Sequence, residues 1–270
     1  MSLASEPRSA YWTEHFSKLA QADGGNEQAD FSNQALVVQN YSFILEVCGV
    51  IVGKRVLDVG FGTGDLACML ARLGGKVSAF DVVSTRIPRL REEAPAVAWW
   101  HDDISTWKQP RTADPFELIV ACETLQYVEF NSAVQRLLQI LAENGRLVIL
   151  IPNADCPIVR QVSERFDYKY DGVSMEQIET RLAGISNDFY TAYRGIYFQE
   201  DQTLVPYQSG PWKRVSVGHR LPTPHFSKHG EVAAAQVRVA NRIQIVISKT
   251  PVDPQSSGDG KEQVLAEKQK

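Results

Sequence analysis

The feature that most constrains the fold is the glycine-rich stretch at residues 55–66, which reads RVLDVGFGTGDL. Residues 56–59 form an apolar run long enough for one buried strand. Three glycines follow at alternating positions, Gly60, Gly62 and Gly64. Residues 65–73 then carry apolar side chains at helical spacing and stop at a glycine pair typical of a helix C-cap. Because glycine permits a sharp turn and close ligand approach, the stretch predicts the first βα unit of a nucleotide-binding sheet.

The spacing of these glycines favours one class of ligand. A dinucleotide fingerprint reads G-x-G-x-x-G and receives a pyrophosphate at the helix N-terminus. Here the pattern is Asp58-x-Gly-x-Gly-x-Gly, and an acid just before the turn suits a ligand that carries a positive amino group. The stretch resembles the first motif of the class I S-adenosylmethionine-dependent methyltransferases, and the resemblance extends over residues 53–153. It implies S-adenosyl-L-methionine as the cofactor, with contacts from Asp58 and from the turn residues Gly60, Phe61, Gly62 and Gly64.

The second predicted strand, residues 76–83, contains an acid where nucleotide sites of α/β proteins have one. Asp81 lies about twenty residues past the glycine turn, the position at which a carboxylate binds the ribose hydroxyls. A carboxylate can accept both hydrogen bonds of a vicinal diol. Asp81 and the adjacent Val82 are therefore predicted to contact the cofactor. The alternative is a solvated acid at the end of a strand.

The next two strands add further candidates. Residues 97–104 are predicted to form the third strand and its loop, and the resemblance implies that Asp103 and Ile104 hold the adenine, with Asp102 as an off-by-one alternative. His101 is interpreted as a hydrogen-bonded neighbour rather than a base. Residues 116–121 are a continuous apolar run, as expected for the buried fourth strand. After it, the resemblance implies cofactor contacts from Cys122 and Glu123, with Leu125 beneath the ring.

The acceptor half of the site is less defined. The resemblance suggests that a helix at residues 10–20, carrying Tyr11 and Trp12, folds over the cofactor, whereas packing on the core is the alternative. Tyr127 either faces the acceptor or belongs to the core. Residues 155–230 are dense in aromatics, which suits a pocket for a ring-bearing small molecule, but a local core or a homodimer interface is an equal interpretation.

Strands and helices alternate over residues 56–151, which predicts a mostly parallel sheet with helices on both faces and ligands at the carboxyl ends of the strands. The resemblance implies a Rossmann-like, doubly wound α/β fold with seven strands, the last one antiparallel at residues 240–248. The predicted units are a lid segment (1–32), a cofactor-binding core (33–154), a substrate-side insertion (155–230), the last core strand (231–250) and a disordered tail (251–270).

Composition excludes several classes of function. The 270 residues carry a formal net charge of −4, which gives no basic footprint for nucleic acid. The four cysteines are widely separated and match neither a disulfide framework nor a zinc site. His219, His225 and His229 fit no zinc template either, so no metal is expected. No apolar run approaches the ~20 residues of a membrane span, and we expect a cytoplasmic protein without membrane partners.

Methyl transfer requires alignment of donor and acceptor more than a fixed catalytic group, so the sequence identifies no catalytic residue. The leading hypothesis is methylation of a small molecule, at a hydroxyl oxygen of a secondary metabolite, a sugar or a quinone-like ring. N-methylation of an amine or amino sugar is the alternative within enzymes. A binding protein that has lost the activity and a nicotinamide oxidoreductase remain as other classes, the latter disfavoured by the glycine spacing.

Overall fold

The computed structural model describes residues 8–22, 34–107, 114–164, 173–185, 188–197, 208–209, 212–215 and 240–251. The helices are α1 (Arg8–Ala22), α2 (Gln34–Cys48), α3 (Asp65–Arg72), α4 (Ile87–Glu93), α5 (Phe130–Gln139), α6 (Pro157–Glu164) and α7 (Ile178–Ala183), with a 3-10 turn at Leu125–Tyr127. The strands are β1 (Arg55–Val59), β2 (Lys76–Asp81), β3 (Ala98–His101), β4 (Phe116–Cys122), β5 (Leu141–Pro152), β6 (Tyr190–Tyr197), β7 (Gln208–Ser209), β8 (Lys213–Val215) and β9 (Arg242–Ser248). None of the described helices has both the length and the hydropathy that crossing a membrane requires.

The strands form one sheet in the order β3-β2-β1-β4-β5-β9-β6, with the short β7 and β8 both paired to β6. Strands β1 to β5 are parallel to one another. Strand β9 is antiparallel to both β5 and β6. The predicted mostly parallel sheet with an antiparallel last strand beside the fifth is therefore confirmed.

Side chains of the central strands alternate between two apolar layers because successive residues of a strand point to opposite faces. Val56 packs in the layer formed by α2, α3 and α4, while its neighbour Leu57 packs against α5 and α7. Both residues are fully buried. Helices thus cover both faces, and the carboxyl ends of the parallel strands are left as the place where a ligand can enter.

Two predicted boundaries differ from the structure. The sequence predicts that the helix before the fifth strand ends at Asn144-Gly145, whereas α5 ends at Gln139 and β5 begins at Leu141. An irregularity in the β4–β5 register lets Phe116 pair with Leu141 and Leu118 pair with Arg146. This extra pairing draws the residues of the apparent cap into the strand.

The second difference concerns the predicted insertion at residues 155–230. Strand β6 lies inside that segment, yet it pairs with β9 along seven residue pairs and is part of the core sheet. Within it, Tyr193 is buried against the face covered by α5 and α7. The segment is thus not a continuous substrate-side insertion. The predicted disordered tail (251–270), apart from residue 251, lies outside the described residues.

Candidate functional site

A cavity of about 410 Å³ opens at the carboxyl ends of β1, β2 and β4 and is bordered by α1 and α2. It is lined by most of the residues predicted to bind the cofactor: Asp58, Gly60, Phe61, Gly62, Asp81, Val82, Asp102, Asp103, Ile104, Cys122 and Glu123. Trp12 and Tyr127, predicted on the acceptor side, also line it. The separate strand ends that the sequence singles out therefore meet in one space.

Two glycines of the turn lack a side chain for different structural reasons. Gly60 has φ +72°, and a Cβ there would lie 2.4 Å from Cγ2 and from Oγ1 of Thr124. Gly62 has φ +54°, but a Cβ there would meet no atom within 4 Å. Gly60 therefore allows close packing of β1 against the residues after β4, whereas Gly62 keeps open space beside the cavity.

Asp81, at the end of β2, organises this turn. Its Oδ2 accepts a hydrogen bond from the Gly62 N–H at 2.9 Å, and its Oδ1 accepts one from the Val83 N–H at 2.8 Å. Burial raises the pKa of Asp81, although the two N–H donors and Arg86 counteract the shift. Each carboxylate oxygen keeps a second lone pair, so Asp81 can hold the turn and accept from a ligand at the same time.

Asp58 is the most deeply buried acid of the cavity, with 1% of its surface exposed. The Ala67 N–H donates to its carboxylate, but Oδ2 has no hydrogen-bond partner in the described part of the chain. Burial and the charge of Asp81 raise the pKa of Asp58 to about 7. A buried acceptor without a donor is costly, and a cationic donor would remove that cost.

The loop after β3 presents two acids to the cavity. Asp102 accepts from the Asp103 N–H at 2.8 Å, and Asp103 Oδ1 accepts from the Ser105 N–H at 2.7 Å. Ile104 is buried beside them. His101 is exposed, with its Nε2 3.1 Å from the Val82 carbonyl oxygen. Both acids reach the cavity, so the choice between Asp102 and Asp103 for the adenine stays a prediction.

Glu123 follows β4 with φ 55°, in the left-handed region that few residues other than glycine adopt. Its Oε1 accepts from Arg242 Nε, the first residue of β9, and from Asn40 Nδ2 of α2 at 3.4 Å. Cys122 lies beside it, and burial raises the pKa of its thiol well above the ordinary value. The Cys122 thiol, which lines the cavity, is therefore neutral at neutral pH.

Helix α2 contributes cavity residues that sequence reasoning missed, because a helical apolar face predicts core packing. Asn40 and Tyr41 both line the cavity. Tyr41 shares a hydrogen bond with the side chain of Thr63, whose Oγ1 donates to Asp65 Oδ2 at 2.7 Å. Burial is the main cause of the raised pKa of Tyr41, so its phenol stays neutral. No local pattern marks these residues, since only the packing of α2 brings them to the cavity.

Three predicted site residues do not line the cavity. Gly64 has φ +89° at the start of α3, and a Cβ there would lie 2.8 Å from Leu90, so it serves packing. Leu125 is fully buried among the core residues next to α5 rather than beneath a ligand ring. Tyr11 packs edge-on against Trp12, with ring centroids 5.1 Å apart, and stands behind the residue that reaches the cavity.

The acceptor side of the cavity has an aromatic surface. The Trp12 and Tyr127 ring centroids are 4.6 Å apart, and those of Phe16 and Tyr127 are 5.0 Å apart. None of the described aromatics of residues 155–230, Phe189, Tyr190, Tyr193 and Trp212, lines the cavity, and Tyr193 and Trp212 are buried in the core. The predicted aromatics and histidines at positions 166, 168, 170, 198, 207, 219, 225 and 229 lie outside the described residues.

The hydrogen-bond acceptors of the cavity fit a nucleoside that carries a sulfonium and an amino group. Oδ2 of Asp58, which accepts from no described residue, suits a positive charge, and a carboxylate with free lone pairs at Asp81 suits a diol. Gly62 leaves the space that such a group needs. Within the described ranges, no three His, Cys, Asp or Glu side chains are grouped to hold a metal ion.

Comparison with known proteins shows what this chain is similar to. Residues 56–145 match a family model described as a methyltransferase domain. A trans-aconitate 2-methyltransferase of Paracidovorax citrulli is 29% identical over 144 residues, which are 51% of this chain and 55% of that protein. A ubiquinone/menaquinone biosynthesis C-methyltransferase of Pectobacterium carotovorum is 30% identical over 134 residues, which are 46% of this chain and 52% of that protein. The chain thus spans about half the length of these curated relatives.

A solved structure extends the comparison to most of the chain. Magnesium protoporphyrin IX methyltransferase of Synechocystis PCC 6803, crystallised with bound S-adenosylhomocysteine, aligns over 89% of this chain and 99% of its own. The TM-score is 0.56 at 12% identity. At that identity the likeness concerns the fold, and it confirms the predicted Rossmann-like architecture.

Proposed function

We propose that this chain, whose residues 56–145 match a methyltransferase-domain family model, is a class I S-adenosylmethionine-dependent methyltransferase that methylates a small molecule. The observation that carries the proposal is the buried Oδ2 of Asp58, which has no hydrogen-bond donor among the described residues and belongs to a cavity that the glycine turn also lines. A cationic amino group is the ligand feature that this oxygen needs. A diphosphate has no use for this acceptor oxygen, because it needs hydrogen-bond donors from the protein.

The residues around the cavity would divide the work of binding S-adenosyl-L-methionine. Asp58 would accept from the amino group, Asp81 from the ribose hydroxyls, and Asp102 or Asp103 with Ile104 would enclose the adenine. The bound cofactor supplies the electrophilic methyl group and a neutral leaving group. The protein would contribute alignment of the acceptor, which can lower a barrier by ~7–11 kcal/mol, and exclusion of water by the aromatic residues Trp12 and Phe16.

For the acceptor atom we propose a hydroxyl oxygen on a ring-bearing compound. The flat surface formed by Trp12, Phe16 and Tyr127 supports a ring. N-methylation of an amine is the second candidate, favoured by the Glu123 carboxylate, which also lines the cavity. The partner is thus a small molecule, while cytoplasmic localisation, a homodimer and the lack of nucleic-acid or membrane partners stay predictions of the sequence.

Calorimetric titration tests the proposal directly. We expect the full chain to bind S-adenosylhomocysteine with micromolar affinity and to show no heat with NAD. The Asp58→Asn variant should weaken S-adenosylhomocysteine binding at least tenfold. The exposed Glu92→Gln variant on α4 removes a carboxylate outside the cavity and should bind like the wild type. Binding of NAD alone, or of neither compound, would refute the methyltransferase proposal.

A further inference from the structure

The cavity lining includes a second set of residues, outside the loops after β2 and β3, which we call the acceptor wall. It consists of Trp12, Phe16, Asn40, Tyr41, Glu123 and Tyr127, all of which line the cavity. Its polar atoms belong to one amide, two phenols, one indole N–H and one carboxylate.

The charge around the cavity is one-sided. Among the described lining residues there are five acids, Asp58, Asp81, Asp102, Asp103 and Glu123, and a single Lys or Arg side chain, Arg86. Arg86 lies near the end of β2, since its charge lowers the pKa of Asp81. Arg242 is the cation near the acceptor wall, but it is paired with Glu123. An anionic acceptor would therefore meet no uncompensated positive charge from the described residues at the acceptor wall.

Asn40 shows what kind of group the wall requires. It is 5% exposed, and its Nδ2 faces the Glu123 carboxylate. Because a carboxylate can only accept, the amide nitrogen must be the atom on that side. Its Oδ1 is consequently left buried without a donor in the described part of the chain. A bound molecule that donates a hydrogen bond would satisfy this oxygen, whereas a carboxylate or phosphate would not.

The aromatic members add a shape requirement. Trp12 and Tyr127 are tilted by 58°, and Phe16 stands edge-on to Tyr127 at 80°. Such a surface binds a ring, and its π faces also attract cations. Both properties favour a ring-bearing ligand that is neutral or cationic, and such a ligand can also donate to Oδ1 of Asn40. Neither property favours an anion.

We propose that Glu123, held by Arg242 and Asn40, is the specificity-determining residue of the acceptor wall, and that the wall takes a ring-bearing acceptor that donates hydrogen bonds and carries no anionic group. This inference rests on the proposed function, because the acceptor is defined by the methyl transfer. Glu123 acts in two ways: its carboxylate repels anions, and it cancels the charge of Arg242. Removal of the carboxylate alone would take this partner from Arg242.

Three probes that share a phenyl ring on a two-carbon arm test the inference: 2-phenylethylamine, 2-phenylethanol and 3-phenylpropionate. Each is titrated into the full chain with and without saturating S-adenosylhomocysteine. We expect the amine and the alcohol to bind at least tenfold more tightly than the carboxylate. Glu123→Gln should reduce the ratio of the amine affinity to the carboxylate affinity at least tenfold, and Arg242→Gln should increase this ratio. Glu92→Gln, the matched change at an exposed position, should leave the ratio unchanged.

The outcomes separate the two proposals. Equal binding of the amine and the carboxylate, binding of none of the probes at millimolar concentration, or an unchanged ratio in both Glu123→Gln and Arg242→Gln would overturn the role of Glu123. If Glu123→Gln fails to fold, the opposite shift expected for Arg242→Gln decides the question. If the free protein binds the probes in the expected order but does not bind S-adenosylhomocysteine, the methyltransferase function is refuted and the selection against anions by Glu123 still holds.

Discussion

The protonation state of Asp58 makes ligand binding in the cavity depend on pH. Burial and the Asp81 charge raise its pKa to about 7, so near neutrality the free protein holds a mixture of the acid and the carboxylate. A cationic amino group binds the carboxylate better than the acid, and binding therefore has to release the proton when the pH is below 7. We predict that the affinity for S-adenosylhomocysteine rises about tenfold between pH 6 and pH 7.5.

The measurement is titration calorimetry in two buffers of different ionisation heat, which also counts the released proton. Asp58→Asn removes the titrating group but keeps an acceptor oxygen for the Ala67 N–H. Its affinity should be lower at pH 7.5 and nearly independent of pH over the same range. A wild-type profile that is flat would show that the amino group does not bind at Asp58.

Asp81 has a different role, because its two oxygens already accept from the Gly62 and Val83 N–H groups. We predict that Asp81→Ala weakens S-adenosylhomocysteine binding about a hundredfold, since the ribose partner and the anchor of the turn are lost together. Asp81→Asn keeps one acceptor oxygen and should lose only about tenfold. Urea unfolding of both variants separates loss of stability from loss of binding, and equal affinity of Asp81→Ala and the wild type would contradict the assignment.

At the scale of elements, two glycines of the same turn have different roles: Gly60 is needed for stability and Gly62 for ligand binding. Gly60→Ala places a methyl group 2.4 Å from Thr124 at φ +72°, and we predict a loss of about 2–4 kcal/mol in the free energy of unfolding. Gly62→Ala meets no atom and should lose only about 1–2 kcal/mol from its positive φ. The Gly62 variant should nevertheless bind S-adenosylhomocysteine at least tenfold more weakly, as titration of the folded protein would show.

The elements also show how far the sequence determines the site. The glycine turn, Asp81 and Glu123 are predictable because each follows directly on a buried apolar strand, and a parallel sheet brings such strand ends together. The pairing of Glu123 with Arg242, 119 residues apart, has no local signal. The same holds for Asn40 and Tyr41, whose helix reads as a core element. Gly64 and Leu125 belong to the motifs by spacing, but packing places them in the interior.

At the scale of the whole molecule, the cavity depends on how α2 is tied to the sheet. Arg194 of β6 is buried and pairs with Glu46 of α2 at 2.6 Å, and its Nε donates to Gln244 of β9 at 2.7 Å. Gln244 in turn donates to the Phe43 carbonyl oxygen of α2 at 2.6 Å. The antiparallel strands thus hold the helix that carries Asn40 and Tyr41. This explains how residues far from the glycine turn in sequence can shape the same cavity.

A ligand that binds across α1, α2 and the parallel strands should stabilise the folded chain as a unit. At a concentration of about 100 times the dissociation constant, a ligand specific for the folded state adds about 2.7 kcal/mol. For a domain of this size, that corresponds to a rise in Tm of about 5–10 °C. We predict this rise for S-adenosylhomocysteine by differential scanning calorimetry and none for NAD. Asp58→Asn should show a smaller rise at the same ligand concentration, while Glu92→Gln should match the wild type. Equal shifts with both ligands would mean that the cavity recognises a nucleoside without regard to the amino group, contrary to the role assigned to Asp58.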